Sequence, residues 1–264
     1  TLGTLGAPWA VSNASYTVRA QAFNQADLVS EAPPRTIVVD NTAPTASVTS
    51  PTDPPRYFSN LPEGRALTTL AGTADDVRVI ANQGGIDSVF VRVRDDALNN
   101  CWIAGAWTPC ATTPNDITAG YDGVTLVWST APAVQWLDGK TFTVFTAPRD
   151  QAQNPSPLTP AAQQQILYDV TRPTAAVAFP AAASFYRSLP TLSGTAVDPA
   201  GAGGQKADLD VVAFDLVWND QGLYWSGTSF DSPVSSFVVV TGTDAWAYGP
   251  AALATAFNTN AANN

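Results

Sequence analysis

The chain carries an internal repeat that is long enough to be a folding unit. Residues 40–51 read DNTAPTASVTSP and residues 169–180 read DVTRPTAAVAFP, so the motif recurs 129 residues later. A second pair, TLAGTADD at 69–76 and TLSGTAVD at 191–198, recurs 122 residues later, and the copies therefore differ by a seven-residue insertion or deletion. A tandem unit of this size is more typical of a scaffold or spacer than of a catalyst.

The edges of the repeat divide the chain into three parts. SYTVRAQAFNQADLVSE at 15–31 matches TFTVFTAPRDQAQNPSP at 141–157, and each segment is followed by a strand that runs into the repeated motif. We therefore predict that residues 1–39 hold the last two strands of one repeat and residues 40–168 a complete repeat. Residues 169–264 then form a repeat that lacks its last two strands.

The composition and the hydrophobic pattern predict short strands. The chain has 21 Pro and 18 Gly, and it contains no Met and no His. Such a composition favours strands joined by turns and disfavours long surface helices. Residues 88–94, SVFVRVR, alternate like a half-buried strand, and DVVAFDLVW at 210–218 is their counterpart. About seven strands per repeat predict an all-β fold of antiparallel β-sandwiches.

The order of these motifs resembles a known class of repeat. D-x-T-x-P is followed by L-x-G-T-A-x-D, then by an alternating strand ending near Trp, and then by a Y/F-T-V strand and a turn containing Asp or Asn. This order resembles the bacterial Ig-like tandem repeats of large surface and adhesin-type proteins, over nearly the whole chain. The resemblance implies serial Ig-like antiparallel β-sandwich domains at an extracellular or cell-surface location. It also implies Ca²⁺ at the repeat junctions.

Aspartates stand where the linkers and turns of such a sandwich gather at one end. Several carboxylates at one place are the ligands that calcium prefers. The predicted metal ligands are Asp40, Asp75, Asp76 and Asp150, with Asn154, at the first junction, and Asp169 and Asp198, with Asp210 as a further candidate, at the second. The alternative is that these carboxylates cap turns by accepting hydrogen bonds from nearby backbone amides.

The two cysteines lie in one predicted hairpin. Cys101 and Cys110 enclose CWIAGAWTPC, with Gly105 near the tip, and a disulfide across such a hairpin is geometrically reasonable. The alternative is a pair of inert thiols.

Tryptophans support a second functional hypothesis, an adhesive or carbohydrate-binding module directed at a host or glycan surface. Flat aromatic faces stack on sugar rings, and the candidates are Trp102, Trp107 and Trp225. However, Trp102 recurs as Trp225, and Trp128 recurs as Trp246, as positions used for core packing would.

Several function classes are disfavoured. The formal net charge is −10, which opposes binding to nucleic acid. No run of about 18 apolar residues is present, so we predict no membrane span. The absence of His excludes Ser-His and Cys-His nucleophile systems and the usual zinc sites, and we predict that the chain is not an enzyme.

The two incomplete ends predict how the chain is joined to its neighbours. A lone hairpin is marginal in water, and a sandwich without its last two strands has an open edge. The hairpin of one copy could complete the third repeat of the next, by head-to-tail donor-strand complementation. The alternative is a segment of a longer array whose adjoining repeats supply the strands. Either case predicts a non-enzymatic extracellular structural repeat protein that forms a stalk, filament or surface sheath.

Overall fold

The structure is a computed structural model that describes residues 14–51, 57–76, 85–112, 116–157, 159–242 and 244–259. The described chain is all-β, apart from one short 3₁₀ turn and one helix. It divides into two compact units, unit 1 (Thr1–Tyr168) and unit 2 (Asp169–Asn264). The division falls where the proline- and threonine-rich motif begins for the second time.

Unit 1 begins with an antiparallel hairpin, called here the N-terminal hairpin. Its strands are β1 (Ala14–Val18), β2 (Gln21–Phe23), β3 (Val29–Glu31) and β4 (Arg35–Val39). β1 pairs with β4, and β2 pairs with β3. The side chain of Asn24 accepts hydrogen bonds from the amides of Ala26 and Leu28 and so shapes the turn. In the described part of the chain no strand outside the hairpin pairs with it.

The rest of unit 1 is built around one branched sheet. Its strands are β5 (Thr45–Ser50), β6 (Tyr57–Phe58), β7 (Leu70–Asp75), β8 (Ile86–Asp95), β9 (Asn100–Ile103), β10 (Ala106–Pro109), β11 (Ile117–Asp122), β12 (Val127–Thr130), β13 (Lys140–Asp150) and β14 (Gln163–Tyr168). The order is β5-β7-β12-β11-β8-β13-β14-β6, with β9 and β10 branching from β8. A 3₁₀ turn at Pro160–Ala162 precedes β14.

The two longest strands supply the centre of the unit 1 core. Val89, Val91 and Val93 on β8 are fully buried, and so are Phe142 and Val144 on β13. β13 pairs with one edge of β8 along almost its whole length, while β11 and β9 pair with the other edge. A strand with neighbours on both edges and apolar residues on its inner face is what the alternating sequence of β8 predicts.

Both units use glycine beneath a buried tryptophan. A Cβ on Gly72 would lie 1.9 Å from the Ser47 carbonyl oxygen, and the fully buried Trp128 covers the same spot. In unit 2 a Cβ on Gly194 would lie 2.0 Å from the Ala176 carbonyl oxygen, beside Trp246. The glycine of the L-x-G-T-A-x-D motif is therefore required by close backbone approach.

Unit 2 contains shorter strands in several small sheets. They are β15 (Thr174–Phe179), β16 (Leu192–Val197), β17 (Ala213–Phe214), β18 (Val217–Trp218), β19 (Leu223–Trp225), β20 (Phe230–Ser232), β21 (Val238–Val239) and β22 (Ala245–Tyr248). The sheets are β15-β16-β22, β18-β19-β20 and β17-β21. Trp225, Leu192 and Phe214 are among the residues of its core.

Unit 2 ends in a helix that the composition does not predict. α1 spans Ala251–Thr259 and has the sequence AALATAFNT. Alanines have the highest helix propensity, and Pro250 stands directly before the first helical residue, where proline is tolerated. Leu253 is fully buried, and Phe257 packs against the same core one turn later. No helix in the described residues is both long enough and apolar enough to cross a membrane.

Candidate functional site

Three of the predicted metal ligands come together at one end of unit 1. Asp40, Asp76 and Asp150 each place a carboxylate oxygen within 4.8 Å of the others, and we call this group the acidic cluster. Asp76 and Asp150 are buried, and Asp40 is partly buried. Asp75, the neighbour of Asp76 on β7, is exposed and is not in the group. The second copy of the motif, TLSGTAVD, has Val197 at the place of Asp75 and Asp198 at the place of Asp76, and this was the signal in the sequence that could have distinguished the two carboxylates.

Asn154 holds one side of the acidic cluster together. Its backbone amide donates to Asp150 Oδ1 at 2.8 Å, and its side-chain Nδ2 donates to Asp150 Oδ2 at 2.7 Å. The same Nδ2 donates to the Asp40 carbonyl at 3.1 Å. Asp40 Oδ1 also accepts from the Thr42 amide at 2.9 Å, so turn capping and clustering occur together at this position.

The second junction contains two of the three carboxylates. Asp169 and Asp198 are buried counterparts of Asp40 and Asp76. Asp169 accepts hydrogen bonds from the Thr171 and Ala207 amides, at 2.9 and 2.7 Å. Asp198 Oδ1 is buried and has no hydrogen-bond partner in the described part of the chain. Burial raises the pKa of Asp198, and the negative charge of Asp169 raises it further. Asp210 is exposed.

A disulfide joins Cys101 to Cys110, with a Cα–Cα distance of 4.8 Å. It closes the β9–β10 hairpin, in which Trp102 pairs with Trp107. The ring of Trp107 stacks on Phe142 at 5.2 Å, and its indole donates to the Gln135 carbonyl. The hairpin is therefore fastened to β13 by aromatic packing.

The candidate sugar-binding tryptophans serve packing. Trp102 is 6% exposed and Trp225 is 0% exposed, so neither ring presents a face to solvent. The Trp225 indole donates to the Tyr248 hydroxyl at 3.0 Å. Trp107 is half-buried between Trp102 and Phe142. These contacts are what the recurrence of Trp102 as Trp225 indicates for a core position.

Unit 2 has an open strand edge whose residues the sequence analysis did not name. Val217 pairs with Tyr224 as Arg94 pairs with Cys101, so residues 211–218 correspond to residues 88–95 of β8. β21 and β19 pair with one edge of this segment. On its other edge, where β8 pairs with β13, no strand of the described residues lies. We call this edge of residues 213–218 the open edge.

Helix α1 covers part of the core beside the open edge. In unit 1 the ring of Phe142 on β13 stacks on Trp107. In unit 2 the counterpart of Trp107 is Phe230, which contacts Phe257 of α1 at 5.9 Å. A groove of about 430 Å³ runs between α1 and the open edge, lined among others by Leu216 and Val217. Helix α1 therefore occupies, against the counterpart of Trp107, a place that β13 holds in unit 1.

A second exposed element belongs to the same region of the repeat. Residues 185–190, FYRSLP, match YFSNLP at 57–62. In unit 1 β6 pairs in parallel with β14. In unit 2 Phe185 is fully exposed and Tyr186 is 41% exposed. The short match at 185–190 was the signal that could have located this element from sequence.

Comparison with protein-family models found none that matches this chain, and comparison with curated proteins found no match.

Proposed function

We propose that the chain is a non-enzymatic, extracellular structural repeat protein made of Ig-like β-sandwiches in series, and that it forms a stalk, filament or surface sheath. Copies join head-to-tail. The N-terminal hairpin of one copy completes unit 2 of the next by donor-strand complementation, adding the two strands that unit 1 holds as β13 and β14.

The pairing register of the N-terminal hairpin is the observation that carries this proposal. Ala14 pairs with Val39 as Lys140 pairs with Tyr168, and the match continues to the far end of β1. β1 and β4 therefore repeat the β13–β14 pairing residue by residue, with a loop shortened by three residues. A hairpin already paired in this way pays little additional ordering entropy on docking.

Side-chain burial differs sharply between the N-terminal hairpin and the β13–β14 pair, and this difference supports a role for the N-terminal hairpin as the donor. Val144 on β13 is 0% exposed, while its counterpart Val18 on β1 is 53% exposed. Ile166 on β14 is 1% exposed, while its counterpart Ile37 on β4 is 38% exposed. Apolar side chains patterned for a core but left in water favour association with a surface that lacks them.

Unit 2 offers the complementary surface. The open edge would receive β1, and Phe185–Tyr186 would receive β4 in parallel, as β6 receives β14. Tyr16, the counterpart of Phe142, would take the place of Phe257 against Phe230. Helix α1 must then move aside. A nine-residue helix is marginal on its own, so the cost of displacing it is the packing of Leu253 and Phe257, which the apolar residues of the incoming hairpin would replace.

Such a joint is heterologous. The donor and acceptor surfaces lie on different units, so each added copy presents a new open edge and growth does not close on itself. This geometry suits a filament or stalk. The rival arrangement, in which the next repeat of a longer chain supplies the strands, uses the same surfaces and forms the same kind of joint.

The proposal is tested by separating donor from acceptor. A donor-defective variant carries Val18→Asp and Ile37→Asp, and an acceptor-defective variant carries Phe185→Asp. All three residues are exposed in the free chain, so both variants should fold. We expect the wild-type chain to form filaments, visible by electron microscopy, as its concentration rises. Each variant alone should stay monomeric, and an equimolar mixture should form dimers that do not grow.

Val124→Asp serves as the control, because Val124 is 92% exposed in the β11–β12 turn and lies outside both surfaces. This variant should assemble like the wild type. A wild-type chain that stays monomeric at every concentration would overturn assembly between copies. Filaments that form equally well from the donor-defective variant would overturn the hairpin's role.

We further propose that the acidic cluster binds Ca²⁺. Three carboxylates, two of them buried, supply the hard oxygen ligands that this ion prefers, and an ion there would offset the mutual repulsion of their charges. Asn154 orients Asp150 toward the group. A bound ion would stiffen the junction between the hairpin and the rest of unit 1, since Asp40 directly follows β4.

A further inference from the structure

The pairing of β13 with β8 in unit 1 indicates how β1 of one copy would pair with the open edge of another. β13 lies against β8 with Thr143 opposite Arg94, Val144 opposite Val93 and Phe145 opposite Arg92. The correspondence between the N-terminal hairpin and β13–β14 is established by the hairpin register. The correspondence between the open edge and β8 is established independently, by the pairings of β18 with β19 and of β17 with β21.

Combining the two correspondences places the residues of an incoming β1 opposite those of the open edge. On the core-facing side aromatic and aliphatic residues meet, namely Tyr16 with Trp218, Val18 with Leu216 and Ala20 with Phe214. On the other side Thr17 meets Val217, and the next pair toward the hairpin turn is Arg19 with Asp215. The only oppositely charged pair that this alignment of residues 16–20 creates is Arg19 with Asp215.

Both charges are available for this contact. Arg19 is exposed, and no ion pair involving it is found in the described part of the chain. Asp215 Oδ2 accepts a hydrogen bond from the Ser235 hydroxyl at 2.7 Å. Asp215 Oδ1 is buried and has no hydrogen-bond partner among the described residues. A buried carboxylate oxygen without a partner is costly, and an arginine brought beside it would remove that cost.

We propose that Arg19 of the incoming hairpin pairs with Asp215 of the acceptor, and that this ion pair sets the register of the joint. The inference rests on the proposed head-to-tail assembly. A slip of one residue would turn the apolar row of β1 away from the core and would place Arg19 opposite an apolar neighbour of Asp215. The charge pair and the apolar row therefore select the same register.

The charge pair would also make the hairpin bind unit 2 in preference to unit 1. The position that corresponds to Asp215 is Arg92 in unit 1, where it already forms an ion pair with Asp116 at 2.6 Å. Its partner on β13 is the uncharged Phe145, whose ring is covered by Arg94 at 4.8 Å. An incoming Arg19 would meet two arginines there. Like charges across a strand pair disfavour the wrong acceptor, as specificity by repulsion requires.

Charge reversal tests the pair in chains that form only dimers. Arg19→Asp is placed in the acceptor-defective chain, which still donates its hairpin, and Asp215→Arg is placed in the donor-defective chain, which still accepts one. Sedimentation velocity then gives the dissociation constant of each mixed dimer. Either reversal alone should weaken the dimer about tenfold or more, because it leaves like charges facing each other. Both reversals together should restore affinity to within about threefold of the parent pair.

Two controls separate the ion pair from other effects. Arg65→Asp in the donor chain makes the same change in net charge at an exposed position of unit 1 outside the hairpin, and it should leave the dimer unchanged. Asp215→Asn retains an oxygen for Ser235 and removes the charge. It should weaken the dimer even if the Asp215→Arg chain proves unstable. Melting curves of the monomers show whether each variant is folded.

Disulfide formation between introduced cysteines tests the register of β1 against the open edge directly. Residues directly opposite each other on paired strands have Cβ atoms about 4.5–5.5 Å apart, close enough for a disulfide to form with small adjustment. Thr17→Cys in the donor chain and Val217→Cys in the acceptor chain should give a covalent dimer on oxidation. Thr17→Cys with Asn219→Cys, displaced by two residues, should not.

The outcomes distinguish this inference from the function on which it rests. If the parent pair dimerises but Arg19→Asp does not weaken it, or the double reversal does not restore it, the Arg19–Asp215 pair is overturned while head-to-tail assembly stands. Crosslinking only in the displaced cysteine pair would also overturn the register. If the parent pair does not dimerise, both proposals fall.

Discussion

Units 1 and 2 contain the same strand with different neighbours. In unit 1 residues 88–95 lie between β11 and β13, and Val91 and Val93 are fully buried. Among the described residues of unit 2, the corresponding segment pairs on one edge only, and helix α1 covers part of the remaining core. The comparison teaches that equivalent strands of one repeat can acquire different neighbours, and that the neighbours decide how much of each strand is buried. A hairpin that repeats the β13–β14 pairing stands at the other end of the chain.

The largest expected effect comes from placing the same charge at equivalent positions of the two hairpins. Val144→Asp would bury a carboxylate in the core of unit 1 and should cost about 4 kcal/mol of unfolding free energy or more. Val18→Asp changes an exposed residue and should change monomer stability by no more than about 0.5 kcal/mol. Urea unfolding, with hydrogen exchange to assign each transition to a unit, measures both.

Val144→Ala is the control for packing alone, and it should cost about 2 kcal/mol by leaving a cavity. Equal losses from Val144→Asp and Val18→Asp would contradict the comparison, because the hairpin would then be packed in the free chain.

The features of the two units that depend on local sequence pattern could be predicted from the sequence. The strand period, the turn residues and the repeated motifs predicted an all-β chain, and the structure confirms that class. Three aspartates of the acidic cluster were named because short carboxylates recur at predicted turns. The residues that define the joint were not named. Arg19 and Asp215 have no motif that connects them, and only the combination of two strand registers proposes them as a pair.

Helix α1 was missed for a different reason. The segment at 246–252 matches 128–134, which in unit 1 precedes β13, so the repeat gave no indication of a helix. The segment forms a helix because alanine has a high helix propensity and because Leu253 and Phe257, one turn apart, both pack against the core of unit 2. The exposure of Phe185 was not foreseen either, although the match of 185–190 to 57–62 marks it as the counterpart of a strand residue of unit 1.

Where the units agree, equivalent changes should have equivalent costs. Gly72→Ala and Gly194→Ala each drive a Cβ into a backbone carbonyl and a buried tryptophan. Each should destabilise its own unit by about 1–3 kcal/mol or more. Gly120→Ala is the control, since a Cβ there meets only the Ser129 carbonyl oxygen at an ordinary 3.6 Å. Unit-resolved hydrogen exchange measures the three variants, and a large difference between the first two would show that the units do not share this packing.

The junctions should respond to calcium unequally. Unit 1 has three clustered carboxylates, and the second junction has two. Calcium at about a hundred times its Kd would stabilise the folded unit by about 2.7 kcal/mol, so unit 1 should melt at a higher temperature in calcium than in EDTA. Asp150→Asn should remove most of this response, whereas Asp75→Asn, at the exposed neighbouring site, should keep it. A melting temperature that EDTA leaves unchanged in the wild type would end the calcium proposal.

The smallest expected effect concerns the second junction, where Asp198 is buried beside Asp169. Burial and the Asp169 charge raise the pKa of Asp198 above its ordinary value of 3.8, and Lys206 opposes them. Above that ordinary value the unfolded chain loses the proton first, so ionisation favours unfolding and Asp198 weakens unit 2 at neutral pH. In EDTA, Asp198→Asn should therefore stabilise unit 2 at pH 7, and the gain should shrink as the pH falls through the raised pKa and vanish below 3.8. Asp210→Asn, which makes the same change in charge at an exposed site, is the control. If Asp198→Asn destabilised unit 2 at pH 7, contacts within unit 2 would have to favour the ionised carboxylate, and this prediction would be wrong.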